Sequence, residues 1–357
     1  MQRWWIDDER CRHGLSALTG ICVGEIPLNR FIRTLFALVL ACAALYFART
    51  LLEPIAFALF GIALVWPFQK SIEAKLPKLA ALVLTIFMTI FVLSVFVLAI
   101  VWSIDDVVHW AFANISRFQS LYMRTDQWLE GYGIFLGEGL KQYGVGTFVS
   151  LLQQAATEVN YFIGFCILVF LVLTFGLIEL NTFAKRFEAL EPSLGWTITQ
   201  AAADIAKKIR RYMLVRTLTS ILTGVAVFVF VLSIGLDLAV AWGVISFVLN
   251  YIPYIGPFIA VVLPVLFANA QFDSWNPVIA IFAGLYAIQF VTGNYFEMQI
   301  SGKTLGISPF VMLIAFFFWG FLWGIPGAFI GLPATIAIFT IFEWNPSTRW
   351  IATLLSL

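Results

Sequence analysis

Eight runs of apolar residues, each long enough for a helix to cross a lipid bilayer, constrain this chain more than any other feature. They lie at about 31–48, 51–68, 79–102, 161–180, 213–235, 238–268, 276–296 and 307–342. The apolar core of a bilayer needs roughly 20 residues of helix, and backbone groups in lipid must bond within their own segment. The sequence therefore predicts an all-α polytopic membrane protein with about eight transmembrane helices.

Composition excludes several other classes of protein. Hydrophobic residues make up 61% of the chain and charged residues 11%, about half the charged share of a soluble domain. A net charge of +1, without a basic patch, gives no indication of a nucleic-acid partner. The four cysteines are scattered and predict no disulfide framework. The sequence lacks zinc-protease and serine-hydrolase motifs, so we expect no enzyme activity, no metal and no cofactor.

The positions of lysine and arginine predict the orientation in the membrane, because cytoplasmic loops carry an excess of both. With the N-terminus inside, 16 of the 21 lysines and arginines fall in cytoplasmic segments, so we expect both termini in the cytoplasm. The predicted order is a cytoplasmic tail (1–30), three transmembrane helices (31–102), an extracytoplasmic helical hairpin (103–160), a fourth transmembrane helix (161–180), a cytoplasmic interfacial amphipathic helix (181–212), a transmembrane core (213–342) and a cytoplasmic tail (343–357).

Glycine and proline interrupt the sixth and eighth apolar runs, which predicts two broken helices. The residues involved are Asn250, Pro253, Gly256 and Pro257 in the sixth run, and Trp319, Gly320, Gly324, Pro326 and Gly327 in the eighth. Broken backbone survives in lipid only where it is buried in protein or lines a cavity. Paired broken segments therefore indicate a transport site. The alternatives are a packed kink in the sixth run and, in the eighth, close helix packing at the glycines with a tryptophan gate or interface belt.

A polar cluster lies between the two breaks. It consists of Gln289, Asn294, Glu297, Gln299 and Lys303. A carboxylate beside hydrocarbon is costly and is normally partnered or functional. Glu297 is therefore a candidate to carry a proton or coordinate sodium, with Lys303 as its counter-charge. The alternative is that Glu297 lies at the membrane interface, where it only caps a helix or forms a salt bridge.

Four basic residues lead into the fifth apolar run. They are Lys207, Lys208, Arg210 and Arg211. A basic turn beside a membrane helix is typical of a contact with anionic lipid headgroups. We therefore predict a membrane-surface anchor, with a role in gating as the alternative.

Five motifs in the carboxy-terminal half occur together in one known family. They are Arg211-Tyr212, the segment from Asn250 to Pro257, Gly293-Asn294 with Glu297, the segment from Gly302 to Pro309, and the segment from Phe318 to Gly327. The chain resembles the AI-2E family of bacterial membrane transporters, named for export of the quorum-sensing signal autoinducer-2. The resemblance implies an eight-span inner-membrane protomer assembled as a homo-oligomer, a pentamer. Related sequences place proline directly after the glutamate, whereas this chain has Met298, which leaves the local cavity and the substrate open.

We therefore predict a transporter that exports a small polar solute or signal molecule across the inner membrane. Asn250, Asn294 and Glu297 would line a polar path, exposed alternately to each side as the broken segments move against the first four spans. Two alternatives stay open: a sodium/proton antiporter in which Glu297 titrates, and a passive channel or membrane scaffold. The expected partners are a small polar solute or monovalent cation, the lipid bilayer and further copies of the chain.

Overall fold

A computed structural model describes residues 28–131, 150, 154, 157, 161–179, 182, 183, 186, 192–272, 274–296 and 308–355. Every regular element within these ranges is helical. The helices are α1 (Leu28–Phe47), α2 (Arg49–Glu73), α3 (Lys78–Ala113), α4 (Ile115–Gly131), α5 (Tyr161–Glu179), α6 (Pro192–Ile234), α7 (Ala239–Leu249), α8 (Ile255–Gln271), α9 (Trp275–Phe290), a π-helical turn (Val291–Phe296), α10 (Pro309–Trp344) and α11 (Arg349–Leu355).

Six helices in the described part are long and apolar enough to cross a membrane. They are Arg49–Glu73, Lys78–Ala113, Tyr161–Glu179, Ile198–Ile234, Trp275–Gly293 and Phe310–Trp344. Shorter apolar helices occupy Leu35–Phe47, Ala239–Leu249 and Ile255–Gln271. The predicted all-helical, multi-pass class is therefore confirmed. Helix α1 belongs to one compact unit, Met1–Phe47, and the helices from α2 onward belong to a second, Ala48–Leu357.

Two helices continue through boundaries that the sequence predicted. Helix α3 extends past residue 102 to Ala113, and α6 joins the predicted amphipathic helix to the following span. Neither glycine nor proline occurs in α3, or in α6 between residues 196 and 223. Since these two residues are the usual helix breakers, nothing local ends either helix at the point where polarity changes.

Helix α7 returns antiparallel along α6 at a glycine contact. A Cβ atom at Gly224 would lie 2.8 Å from the Gly243 carbonyl oxygen, and one at Gly243 would lie 2.9 Å from Cβ of Phe228. Neither position has room for a side chain without movement of the backbone. The two glycines therefore set the distance between α6 and α7.

We expect Gly224→Ala to destabilise the purified protein by about 1–3 kcal/mol, the usual cost of overpacking a core. Glycine to alanine in a helix otherwise stabilises by roughly 1 kcal/mol, so the sign of the change is informative. Gly164 in α5 has no atom within 4 Å of its added Cβ and provides the matched control. Thermal unfolding in detergent should show a loss for Gly224→Ala only; equal melting temperatures for the two variants would contradict the contact.

Helices α7 and α8 form a helical hairpin, here called the first hairpin, whose tip is residues 250–254. The Trp242 and Phe267 rings lie 4.9 Å apart, and the Gln271 side chain bonds to the backbone of Gly235 and Asp237 at 2.9 Å. The start of α7 and the end of α8 are therefore adjacent and form the open end of the hairpin. At the tip, Tyr254 adopts a φ of 64°, a left-handed conformation that is rare for a bulky residue.

Helix α10 also folds back on itself, at Gly324, where φ is 63° and ψ is −139°. Trp319 Nε1 donates to Thr335 Oγ1 at 3.2 Å, although sixteen residues of uninterrupted helix would span about 24 Å. A Cβ atom at Gly327 would overlap the Trp319 carbonyl oxygen, and one at Gly331 would lie 3.0 Å from Cβ of Trp319. Residues 309–323 and 325–344 are thus two arms of a second hairpin.

The tip of the first hairpin meets both arms of the second, and the open ends of the two hairpins lie toward opposite ends of α6. Tyr251 stacks on Phe329 with ring centroids 5.6 Å apart, and Tyr254 meets Phe316 at 5.8 Å. The first hairpin opens where α6 ends, beside Gly235. The second opens toward the N-terminal half of α6, where Lys208 pairs with Glu343 near the end of α10.

Candidate functional site

Beside the hairpin tips, α6 carries a buried polar face. Thr219, Ser220 and Thr223 are fully or almost fully buried, and Arg216, one turn earlier, is 5% exposed. The Thr219 and Thr223 hydroxyls donate to carbonyls of the preceding turn at 3.1 Å and 2.8 Å. This local bonding satisfies both hydroxyls inside an apolar helix. It also keeps their oxygens along one side of α6.

Helix α7 and its C-terminal residues face these groups. Asn250 Nδ2 donates to Ser220 Oγ at 3.1 Å, and the Tyr251 hydroxyl bonds to Thr217 Oγ1 at 2.9 Å. Ser246, one turn before Asn250, is 1% exposed, and its hydroxyl has no hydrogen-bond partner among the described residues. The tip of the first hairpin is therefore fixed to α6 by side-chain bonds that leave one buried hydroxyl unused.

Helix α9 supplies a second group without a partner, Gln289. It is 8% exposed, and both Nε2 and Oε1 lack a hydrogen-bond partner within the described ranges. Gly284 lies against Phe230, and α9 runs antiparallel to α6 from the open end of the first hairpin. Five further residues of helix, roughly 7.5 Å, place Gln289 about level with Thr223.

We call Thr219, Ser220, Thr223, Ser246, Asn250 and Gln289 the buried polar layer. An unmade hydrogen bond on a buried polar group costs about 1–3 kcal/mol, so native structures contain few. Three such atoms occur here, Ser246 Oγ and the two amide atoms of Gln289. Ser246 lies on α7 and Gln289 on α9, and both helices pack against α6.

The structure brings only some of the predicted path residues together. Asn250 and Gln289 belong to the buried polar layer, and the backbone of Asn294 lies in the π-helical turn. Pro253, Gly256 and Pro257 lie at the tip of the first hairpin and the start of α8. Glu297, Gln299 and Lys303, with Met298, lie outside the described residues, so their assignment stays a prediction.

Proline lacks an N–H group, so a proline at the first tip can leave carbonyls of the preceding turn without a helical donor. Here Tyr251 N–H donates to the Val248 carbonyl at 3.1 Å and Ile252 N–H to that of Leu249 at 2.9 Å. The tightened last turn of α7 satisfies these groups, as helix ends commonly do. The polar groups near this tip that could bind a ligand are therefore side chains.

The residues predicted for the second break lie around the turn of the second hairpin. Trp319 and Trp323 are buried with ring centroids 5.0 Å apart, and a Cβ atom at Gly320 would lie 3.8 Å from Cβ of Ala328. Gly327 contacts the Trp319 carbonyl, and Pro326 follows the turn at Gly324. These contacts pack one arm of the hairpin against the other.

The predicted membrane-surface residues divide into two groups. Lys207 and Arg211 are exposed and Arg210 is half-buried, so a lipid contact stays a prediction for them. Lys208 instead pairs with Glu343 and with Asp204 at 3.5 Å. It therefore joins α6 to the open end of the second hairpin.

Sequence reasoning missed several buried polar residues. Arg216, one of the 16 basic residues expected in cytoplasmic segments, is buried level with the first tip. Ser246 and the α6 hydroxyls were passed over as parts of apolar runs, as was Glu53, a 4% exposed carboxylate in α2. Treating every polar residue inside a predicted span as a candidate for function would have identified them.

Comparison with known proteins places this architecture in context. The family model for the AI-2E family transporter matches residues 35–345. The AI-2 transport protein TqsA of Escherichia coli strain K12 is 26% identical over 342 residues, which are 93% of this chain and 97% of that protein. Relatives that carry provisional transport-protein names occur in Borreliella burgdorferi, 36% identical over 200 residues, 56% of this chain and 55% of that protein, and in Haemophilus influenzae, 32% identical over 195 residues, 52% and 54%. The chain thus spans about half the length of these last two relatives.

Proposed function

Because the chain belongs to the AI-2E family of transporters, we propose that it moves a small polar solute across a bacterial inner membrane through the buried polar layer. The observation that carries this proposal is Gln289, whose two buried amide atoms have no partner in the described structure. A binding site should hold polar groups that a ligand, and not the protein, completes. Ser246 adds a third such atom beside the tip of the first hairpin.

The proposed membrane arrangement has eight segments with both termini in the cytoplasm. Helices α1, α2, α3, α5, α6 and α9 would each cross, and each hairpin would enter and leave on the same side. The open ends of the hairpins lie toward opposite ends of α6, so the two would enter from opposite faces. The bias of lysine and arginine supports the cytoplasmic side for the N-terminal half of α6.

This arrangement suits alternating access. Each hairpin would close the buried polar layer from one face, and the Tyr251–Phe329 and Tyr254–Phe316 contacts join the first tip to the arms of the second hairpin. Movement of the hairpins, with α6 and α9, against the first spans would open one face at a time. The left-handed Tyr254 and the Gly324 turn are local conformations of the kind found at moving functional sites.

The chemistry of the buried polar layer favours a neutral polar solute over a metal cation. Its described members are hydroxyls and amides. The buried Gln289 Nε2 has hydrogen atoms to donate, and a neutral polar solute offers an acceptor for them whereas a metal cation does not. By analogy with the relative named as an AI-2 transport protein, we propose export of AI-2 or a similar hydroxylated molecule, by a homo-oligomer of this chain.

Flux measurements on purified protein in liposomes test the proposal. AI-2 and sodium are loaded separately, and efflux is followed with and without an imposed proton gradient. We expect saturable AI-2 efflux that Ser246→Ala slows several-fold, while Ser103→Ala has no effect. Ser103 is the matched control because it is buried in α3 and bonded to its own helix at 2.7 Å. Absence of AI-2 efflux together with sodium flux would replace the proposal by antiport.

A further inference from the structure

Helix α3 is longer than a bilayer requires, and its end forms a bend with α4. Its 36 residues rise about 54 Å, whereas the apolar core of a bilayer is roughly 30 Å thick. Asn114, with a φ of −110° and a ψ of 23°, separates α3 from α4. Across this break, Trp110 and Phe118 make an edge contact with ring centroids 6.1 Å apart. We call residues 107–118, which fall in the predicted extracytoplasmic region, the elbow.

The elbow packs on the open end of the first hairpin. The shared contact is Phe267, a buried residue near the end of α8. Its ring centroid lies 5.1 Å from that of Trp110 and 5.5 Å from that of Phe118. Ala111 of the elbow is buried in the same apolar cluster, and Val107 packs against it. The elbow and the open end of the first hairpin therefore share one apolar core.

Hydrogen bonds at Asp237, in the turn between α6 and α7, join the same elements. Trp110 Nε1 donates to Asp237 Oδ2 at 3.0 Å. The Asp237 carbonyl accepts from Trp242 Nε1 of α7 at 3.1 Å, and the Asp237 N–H donates to Gln271 Oε1 of α8 at 2.9 Å. Asp237 is thus bonded to the elbow and to both helices of the first hairpin.

The contact between α3 and the first hairpin continues into the predicted span. Phe96 of α3 meets Phe247 of α7 edge-on, with ring centroids 6.0 Å apart. Phe96 precedes Trp110 by fourteen residues, about 21 Å of helix. Phe247 lies near the tip of the first hairpin, where its ring also meets Tyr251 at 5.5 Å. Helix α3 therefore contacts the first hairpin both at its open end and near its tip.

Helices α2 and α5 form a different pair, which α3 meets only near its own start. A Cβ atom at Gly61 of α2 would overlap the Leu173 side chain of α5, and Leu82 of α3 packs against the cluster that these two helices share. Between Leu82 and Phe96, α3 exposes large apolar side chains, namely Phe87, Met88, Ile90, Phe91, Val92 and Val95. The start of α3 is thus suited to be a pivot for the rest of the helix.

We propose that α3 and the elbow move as one body with the first hairpin, pivoting near the start of α3. Movement of the hairpin without α3 would break the Trp110–Asp237 bond and expose the apolar core around Phe267 to water, which is unfavourable. Movement of both together keeps these contacts and carries the motion of the hairpin outside the bilayer. The inference rests on the proposed transport function and refines it: among the first spans, α3 moves with the first hairpin, whereas α2 and α5 do not.

Hydrogen exchange of the purified protein tests the shared body without a transported solute. Trp110→Phe keeps an aromatic ring in the cluster but removes the N–H donor to Asp237. We expect amide exchange to become several-fold faster in the elbow and, together with it, in residues 236–242 and 266–271, while the second hairpin is unchanged. Trp102→Phe is the matched control, because Trp102 lies in the same helix and is exposed. Faster exchange in the elbow alone, or in neither segment, would overturn the proposal.

Crosslinking in liposomes tests whether the body stays together during transport. In protein lacking its native cysteines, Trp110→Cys and Asp237→Cys are joined by a short bifunctional thiol reagent, which replaces the hydrogen bond by a covalent link. We expect AI-2 efflux to be at least as fast after crosslinking as before. Efflux that stops on crosslinking would overturn the proposal, because α3 and the hairpin would then have to separate. If the unsubstituted protein exports no AI-2, the transport function fails, and hydrogen exchange alone decides the inference.

Discussion

Gln289→Leu is expected to abolish most transport and, at the same time, to stabilise the protein. Both amide atoms of Gln289 are buried without partners in the described structure, so their removal relieves a desolvation cost of about 1–3 kcal/mol. If the solute completes these bonds, its loss of affinity should be of similar size, ~5–150-fold in efflux at low concentration. Efflux of AI-2 from liposomes and thermal unfolding in detergent measure the two effects.

Gln69→Leu is the matched control for this prediction. Gln69 is also buried in a membrane helix, and its Nε2 donates to Glu73 at 3.1 Å, but it lies in α2, outside the buried polar layer. We expect Gln69→Leu to leave efflux unchanged. Loss of stability in Gln289→Leu with unchanged efflux would assign Gln289 a structural role instead.

Gly324→Ala is expected to have the second large effect, a loss of both stability and transport. The φ of 63° with ψ of −139° at Gly324 belongs to a region that residues with a Cβ atom almost never occupy, at a cost of order 1–3 kcal/mol. The second hairpin turns at this one residue, so strain there displaces its two arms, which meet the first hairpin at Phe316 and Phe329. We expect efflux to fall to background while the protein still purifies at a lower melting temperature.

Gly320→Ala distinguishes the turn from general crowding in the same hairpin. A Cβ atom at Gly320 would lie 3.8 Å from Cβ of Ala328, an ordinary contact distance. This variant should retain wild-type efflux and melting temperature. Equal damage from both substitutions would show that arm packing, and not the conformation of Gly324, is what transport requires.

The sequence predicted the helical class because the length of each apolar run can be read locally and compared with the length of helix that crosses a bilayer. Gly324 and Pro253 are also visible in the sequence as local interruptions of apolar runs, since glycine and proline act on their own neighbours. It did not predict that each interrupted segment reverses direction. That depends on contacts distant in sequence, such as Trp319 with Thr335 and Gln271 with Gly235.

The candidate site was only partly accessible to sequence reasoning for the same reason. Asn250 and Gln289 stand out as polar residues near breaks, and both lie in the buried polar layer. Ser246 looks like an ordinary small residue of an apolar helix, and Glu53 looks like an interfacial acid beside Arg49. Their importance follows from their burial among neighbouring helices, which a local sequence pattern does not reveal.

The proposed transport mechanism requires that two helical hairpins enter the membrane from opposite faces and meet at the buried polar layer. Ser274, just after the first hairpin, and Ser347, just after the second, are both exposed. In protein lacking its native cysteines, a membrane-impermeant maleimide applied to sealed vesicles should label Ser274→Cys only from the extracytoplasmic face and Ser347→Cys only from the cytoplasmic face. Labelling of both positions from the same face would contradict the mechanism.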